Sequence, residues 1–272
     1  MAETRDWTQP SAKALVQYQT DGGIATLTLN DPPANTYSYA MIRQLDEAIL
    51  RARFDGGVHV LVITGAGQKF FCAGANIAML QEVDPTFKYY FCLHANETLN
   101  RLEQTPKLVI AAINGHCVGG GLEIALAADI RFACKGEAKI GLPEVNLGVL
   151  PGTGGTQRLA RTVGRAKAIE LMVEGKNLSL EEAQSVGLVN RISSSESFHD
   201  EVQAYAREFV PPRRASQAVG HIKRAVLSGM EVGFHEGIAL ERELQQRLFT
   251  SDDAAEGIRA YNEKRRPNFT GK

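Results

Sequence analysis

The sequence predicts an α/β protein with a helical C-terminal region. Two observations carry this. Short apolar runs rich in β-formers alternate with helix-period segments from residue 13 to 192, and beyond residue 196 only helix-period segments follow, dense in charge. On this pattern residues 1–196 form an α/β core. Residues 197–272 form helices that cap it or pack on a neighbouring chain.

The elements follow in order. Residues 15–19 and 24–29 read as a hairpin around Asp21-Gly22-Gly23, stopped by Asp31-Pro32-Pro33. Residues 37–53 place Met41, Ile42, Leu45, Ala48 and Ile49 on one helical face. Val58–Thr64 is short, apolar and β-branched, and Gly65-Ala66-Gly67 ends it, so it reads as a buried strand. A helix over 86–104, a buried strand over Lys107–Asn114 and a helix over Leu122–Ala128 come next. Short strands are expected at Ile130–Ala133, Ala138–Gly141 and Val189–Ile192. Residues 154–173 form one or two helices, and Leu178–Val186 forms another with Ser179, Glu181 and Glu182 at its start. The final helices span 198–208, 213–228, 233–248 and 252–264.

Composition narrows the function. Of 272 residues 44% are hydrophobic, enough for a large core. Thirty basic against 31 acidic side chains give a net charge of −1, so nothing marks the chain as a nucleic-acid binder. No apolar run reaches membrane-spanning length, and the N-terminal residues lack the apolar stretch of a secretory signal. Cys72, Cys92, Cys117 and Cys134 show neither a CxxC pair nor zinc spacing, and they read as buried thiols in a reducing, cytoplasmic setting. His116 has no second histidine at ligand spacing, so no metal site is expected.

Glycine clusters interrupt the periodicity at 65–67, 73–75, 119–121 and 151–156. Gly119–Gly121 follows an apolar strand and opens a helix, where unpaired N–H groups face outward and the backbone can be approached closely. The frames of a P-loop, a dinucleotide fingerprint and a serine-hydrolase elbow are all absent. An oxyanion site and tight packing turns remain as readings. Glu123, just past the triplet, and Glu144, after Pro143, both stand in apolar surroundings. Such a pair suits proton transfer, because burial lifts carboxyl pKa values toward neutrality. The structural alternative is that each caps a turn or pairs with Arg131 or Arg158. Asp129 reads as structural, accepting hydrogen bonds from a turn. Phe87, Tyr89, Tyr90 and Phe91 either pack the core or wall a pocket, and Lys264-Arg265-Arg266 is either a solvated helix end or a phosphate contact.

Four segments carry a resemblance. They are Phe71–Ile77 (FCAGANI), Asn114–Glu123 (NGHCVGGGLE), Gly141–Glu144 (GLPE) and Pro151–Leu159 (PGTGGTQRL), with Phe249–Phe269 as a matching tail. The chain resembles the crotonase (enoyl-CoA hydratase/isomerase) superfamily over nearly its whole length. The resemblance implies a spiral core of repeated ββα units and self-association as a trimer or a dimer of trimers. It implies a coenzyme A thioester as substrate, with no tightly bound cofactor. It assigns the backbone N–H groups of Ala75 and Gly120 to an oxyanion hole and Glu123 and Glu144 to acid–base chemistry. Gly152 is placed near the water, and Ala34, Ala73, Gly74, Ile77, Leu142, Tyr261 and Lys264 near the acyl-CoA. Both glutamates being present favours reversible syn hydration of a 2-enoyl-CoA. Isomerisation or another enolate reaction such as decarboxylation is the alternative, and a non-catalytic subunit or scaffold is a third. Asn76 stands where the family usually has aspartate, and Leu142 where short-chain hydratases have glutamine.

Overall fold

The computed structural model describes residues 7–272, so the signal-segment reading of the N-terminus falls in part on residues 1–6, outside the described residues. The architecture is a wound pair of sheets. The larger has six strands in the order β1-β2-β3-β5-β7-β10: β1 (Val16–Asp21), β2 (Ile24–Leu29), β3 (Val60–Gly65), β5 (Leu108–Ile113), β7 (Ile130–Cys134) and β10 (Arg191–Ser193). The smaller has four short strands in the order β4-β6-β8-β9: β4 (Phe70–Cys72), β6 (His116–Val118), β8 (Ile140–Gly141) and β9 (Asn177–Leu178).

The winding follows from chain order. β3, β5 and β7 are parallel neighbours, and each is followed at once by β4, β6 and β8, which are parallel neighbours in turn. A helical segment then returns the chain. After β4 come α2 (Ile77–Glu82) and α3 (Pro85–Glu103). After β6 comes α4 (Gly120–Leu126), and after β8 a 3₁₀ turn (Glu144–Leu147) and α5 (Gly155–Val163). This is the repeated ββα unit expected from the resemblance.

β3 and β5 are buried along their whole length, as parallel strands covered on both faces must be. Period-2 alternation divides their side chains between two cores. Leu61, Ile63, Val109, Ala111 and Ile113 join the main core, which also holds α1 (Tyr39–Phe54) through Met41, Leu45 and Ile49. Val60, Val62, Leu108 and Ile110 face the smaller one, closed by Phe198, Val202 and Ala206 of α8 (Phe198–Arg207).

Several boundaries differ from the sequence reading for local reasons. Helix α1 starts at Tyr39, because the Ser38 side chain caps it by accepting from Met41 N while Tyr37 stays extended. The segment 154–173 is two helices, α5 and α6 (Arg165–Glu174), parted at Gly164 with φ 84°. Leu178 belongs to β9, and α7 (Leu180–Ser185) begins behind a capping box made by Ser179 and Glu182. Asp129 does accept backbone donation, from Val109 N at 2.7 Å, but it also pairs with the buried Lys223 at 2.9 Å. The remaining helices are α9 (Ser216–Gly229), α10 (Phe234–Phe249) and α11 (Asp252–Asn262). Among the described residues no helix is long and apolar enough to cross a membrane.

Candidate active site

The site is assembled where successive repeats leave the small sheet. Tyr37 makes an isolated parallel bridge with Ala75: its N–H donates to Gly74 O at 3.0 Å, and its carbonyl accepts from Asn76 N at 2.9 Å. That alternation turns the Ala75 N–H the other way. Gly120, the first residue of α4, has an N–H that no intrahelical carbonyl can reach. Among the described residues neither of these two N–H groups has a hydrogen-bond acceptor. The two strips of backbone lie close, since a Cβ placed on Gly74 would stand 3.2 Å from Gly120 N.

The glycines of the triplet are required for different reasons. Gly119 has φ 57°, a region that an L side chain seldom adopts. A Cβ on Gly120 would stand 2.2 Å from the phenolic oxygen of Tyr37, so a tyrosine occupies the space of the missing side chain. The sequence argument of close ligand approach did not anticipate that neighbour.

Glu123, in the first turn of α4, is 2% exposed. Its Oε1 accepts from Thr153 N at 2.8 Å and Gly155 N at 2.7 Å, and its Oε2 accepts from the Thr153 hydroxyl. Burial raises its pKa, and these donors oppose the rise. Glu144 opens the 3₁₀ turn with its carboxyl over Gly119, where a Cβ would stand 3.2 Å from Oε1. Its Oε2 is buried without a hydrogen-bond partner among the described residues. Burial, with a smaller contribution from the Glu123 charge, pushes its pKa up to about 7. Neither arginine considered as a structural partner bonds either acid. Arg131 donates to Leu188 O and Ala128 O, and Arg158 pairs with Glu103 and Asn100.

The other residues singled out from sequence fall in two places. Ala34 O accepts from Ala73 N at 3.0 Å, which joins the first turn to the Ala73-Gly74-Ala75 strip. Asn35 holds that turn: fully buried at φ 51°, it donates to the carbonyls of Ala66 and Phe70. Asn76 caps α2 by accepting from Met79 N, which asparagine does as well as aspartate, and Ile77 is exposed beside it. Leu142 is buried against Gly155, and Gly152 O accepts from Asn96 Nδ2 at 3.1 Å near the Cys92 thiol. Tyr261 and Lys264, by contrast, are exposed at the end of α11, with no hydrogen bond or ion pair to a site residue, while Arg265 beside them is tied to Glu256. The aromatic cluster divides: Phe91 is buried against Tyr37, Phe87 packs on Tyr39, and Tyr89 and Tyr90 meet edge to face in solvent.

Tyr37 and Thr153 were not singled out by sequence reasoning. Thr153 lay inside a quoted motif, and Tyr37 was absorbed into the helix predicted over 37–53. A surface cavity of about 620 Å³ lined by Lys69, His116, Lys135 and His199 does not include either acid. Among the described residues no three His, Cys, Asp or Glu side chains are grouped to hold a metal.

The family model for enoyl-CoA hydratase/isomerase matches residues 19–272. The chain belongs to the enoyl-CoA hydratase/isomerase family. A short-chain-enoyl-CoA hydratase of Clostridium acetobutylicum is 36% identical, covering 90% of this chain and 94% of its own length. A 2,3-dehydroadipyl-CoA hydratase of Escherichia coli is 35% identical, covering 92% and 96% respectively. The crystal structure of an enoyl-CoA hydratase from Geobacillus kaustophilus superposes with a TM-score of 0.93 at 42% identity, over 96% of this chain and 98% of that one. Among the described residues the amides of Ala75 and Gly120 without acceptors thus stand beside two acids, Glu123 buried and Glu144 half-buried.

Proposed function

We propose that the protein is an enoyl-CoA hydratase, adding water reversibly and syn across a 2-enoyl-CoA to give a 3-hydroxyacyl-CoA. The observation that carries this is the pairing of Glu123 and Glu144 in unlike surroundings next to the unpaired N–H groups of Ala75 and Gly120. An isomerase needs one acid. Hydration uses both.

The thioester carbonyl accepts from Ala75 N and Gly120 N, and these bonds tighten as the oxygen becomes enolate-like. One such donor contributes about 3 kcal/mol in related acyl chemistry. Glu123, with its charge supported by three donors, keeps a lone pair on Oε2 for water and takes a water proton as the oxygen attacks the β-carbon. Glu144, whose carboxyl burial pushes up to about 7, delivers its proton to the α-carbon. The pair then holds the same single proton with its owner exchanged, so dehydration runs by the reverse transfers. Two acids on one face of the double bond give syn addition.

Backbone at Ala34, Ala73 and Gly74 lines the path of the CoA moiety, with Ile77, Leu142 and Gly152 around the acyl end. Lys264 reaches the CoA phosphates from a neighbouring subunit of a trimer or paired trimers, with Tyr261 near it. The exposed apolar residues Ile222, Val226, Met230 and Phe234 of the C-terminal helical region supply surface for that assembly. The protein works in the cytoplasm.

The test is a panel of 2-enoyl-CoAs varying in length and branching, followed by absorbance of the conjugated thioester and product mass. Loss of absorbance with gain of one water is expected. Conversion between enoyl isomers with no mass change overturns the assignment.

A further inference from the structure

We propose that Tyr37 is a positioning residue for Glu123, its phenolic hydroxyl fixing the Thr153 hydroxyl as a donor to Glu123 Oε2. The inference rests on the hydration reading only in giving Glu123 work to do. The chain of three oxygen atoms stands on geometry.

Tyr37 is 3% exposed, and its ring is held against Phe91 with centroids 5.7 Å apart. The one polar partner of its hydroxyl among the described residues is Thr153 Oγ1, at 3.5 Å. Thr153 Oγ1 also bonds Glu123 Oε2. Each hydroxyl has a single proton, and an ionised carboxylate only accepts. With Glu123 charged, the Thr153 proton must point to Glu123, so Thr153 Oγ1 is left to accept from Tyr37. Every proton then has an acceptor.

The opposite arrangement fails at the far end. If the proton sits on the Oε2 lone pair that Thr153 addresses, Glu123 donates to Thr153, and the Thr153 proton turns toward Tyr37. The phenolic proton then has no acceptor in a buried place, where an unmade hydrogen bond is costly. Protonation on Oε1 is blocked by the two N–H groups of Thr153 and Gly155 already directed at it. A proton is thus confined to the lone pair of Oε2 that faces water, and because the Thr153 bond is stronger to an ionised acceptor than to a neutral one, the chain favours the charged form of Glu123. Burial raises the Tyr37 pKa well above its ordinary value, with the Glu123 charge second, so the phenol remains a donor throughout the working pH range. The backbone of Tyr37, bridged to residues 74–76, is a separate matter that Tyr37→Phe leaves in place.

The test follows Glu123 itself, by carbon-13 NMR of full-length protein labelled at the glutamate carboxyl, with Glu123→Gln identifying the resonance. Tyr37→Phe should raise the titration midpoint of Glu123 by about half a pH unit, the size of one modest hydrogen bond. Thr153→Ala should raise it further, and Thr153→Ser should restore it. Adding Tyr37→Phe to Thr153→Ala should then change nothing. An unmoved midpoint in Tyr37→Phe, or an equal shift with and without the Thr153 hydroxyl, overturns the proposal. In the hydration assay the acid limb of kcat/KM should move with the midpoint while KM stays within about twofold, the size expected when no substrate contact is lost. A wild-type protein that hydrates no enoyl-CoA sinks the functional reading and leaves the titration result standing.

Discussion

Glu123 is met by three donors, whereas the buried Oε2 of Glu144, the other acid, has no partner among the described residues. Burial raises both carboxyls, and Glu144 is pushed up to about 7 although it sits less deep. At Glu123 the rise from burial is opposed by the donors the protein aims at the carboxyl. The glycine-rich turn 151–156 supplies three donors to one acid, and the 3₁₀ turn offers the other only its own N–H.

The largest expected effect comes from Glu144→Gln, which removes the mobile proton. Its kcat should fall about a thousandfold while KM for the CoA ester stays within about tenfold, measured by steady-state hydration. Near-normal turnover would erase the functional difference between the two pockets. Glu123→Gln should cost less, about a hundredfold, because the amide keeps one acceptor for the backbone donors. It should also lower the Glu144 midpoint, since the charge that helps raise it is gone.

A third expectation concerns stability. The folded pKa of Glu144, about 7, lies above its ordinary value of 4.5. A raised carboxyl favours folding most when protonated, so this contribution is full below the unfolded value and is lost as pH rises through the folded one. The melting temperature of Glu144→Gln relative to wild type should therefore climb between pH 4 and pH 8. A flat difference would mean that Glu144 is not held neutral by burial. The smallest effect should come from Lys264→Ala: a KM for CoA esters raised about threefold and easing with salt, as for an exposed charge, with kcat and the pH profile unmoved.

Much of the fold was legible because long buried strands and amphipathic helices announce themselves by period. β3 and β5, with their unbroken apolar runs, are the plainest cases. The small sheet was mostly not. β4 and β6 are three residues each and β9 two, too short for any periodicity, and β6 includes a histidine. Glu123 and Glu144 stood out as acids in apolar sequence. Tyr37 did not, because nothing in its own neighbourhood signals that its ring ends beside Thr153, 116 residues away. Asn76 looked like a departure, yet as the helix cap of α2 it accepts from Met79 N as aspartate would.

The winding of the chain has a bearing on how such a site can change. Ala75, Gly120 and Glu144 follow the last residues of β4, β6 and β8 by three, two and three positions. Each coil thus contributes from the same point on its circumference, and stacking of the coils brings the contributions together. Lengthening or remodelling α2 and α3, which lie on the outward excursion of one coil, would alter the surface of that coil while leaving Gly120, Glu123 and Glu144 on the others. Change can therefore be confined to the segments of a single winding while the residues contributed by the others are inherited intact.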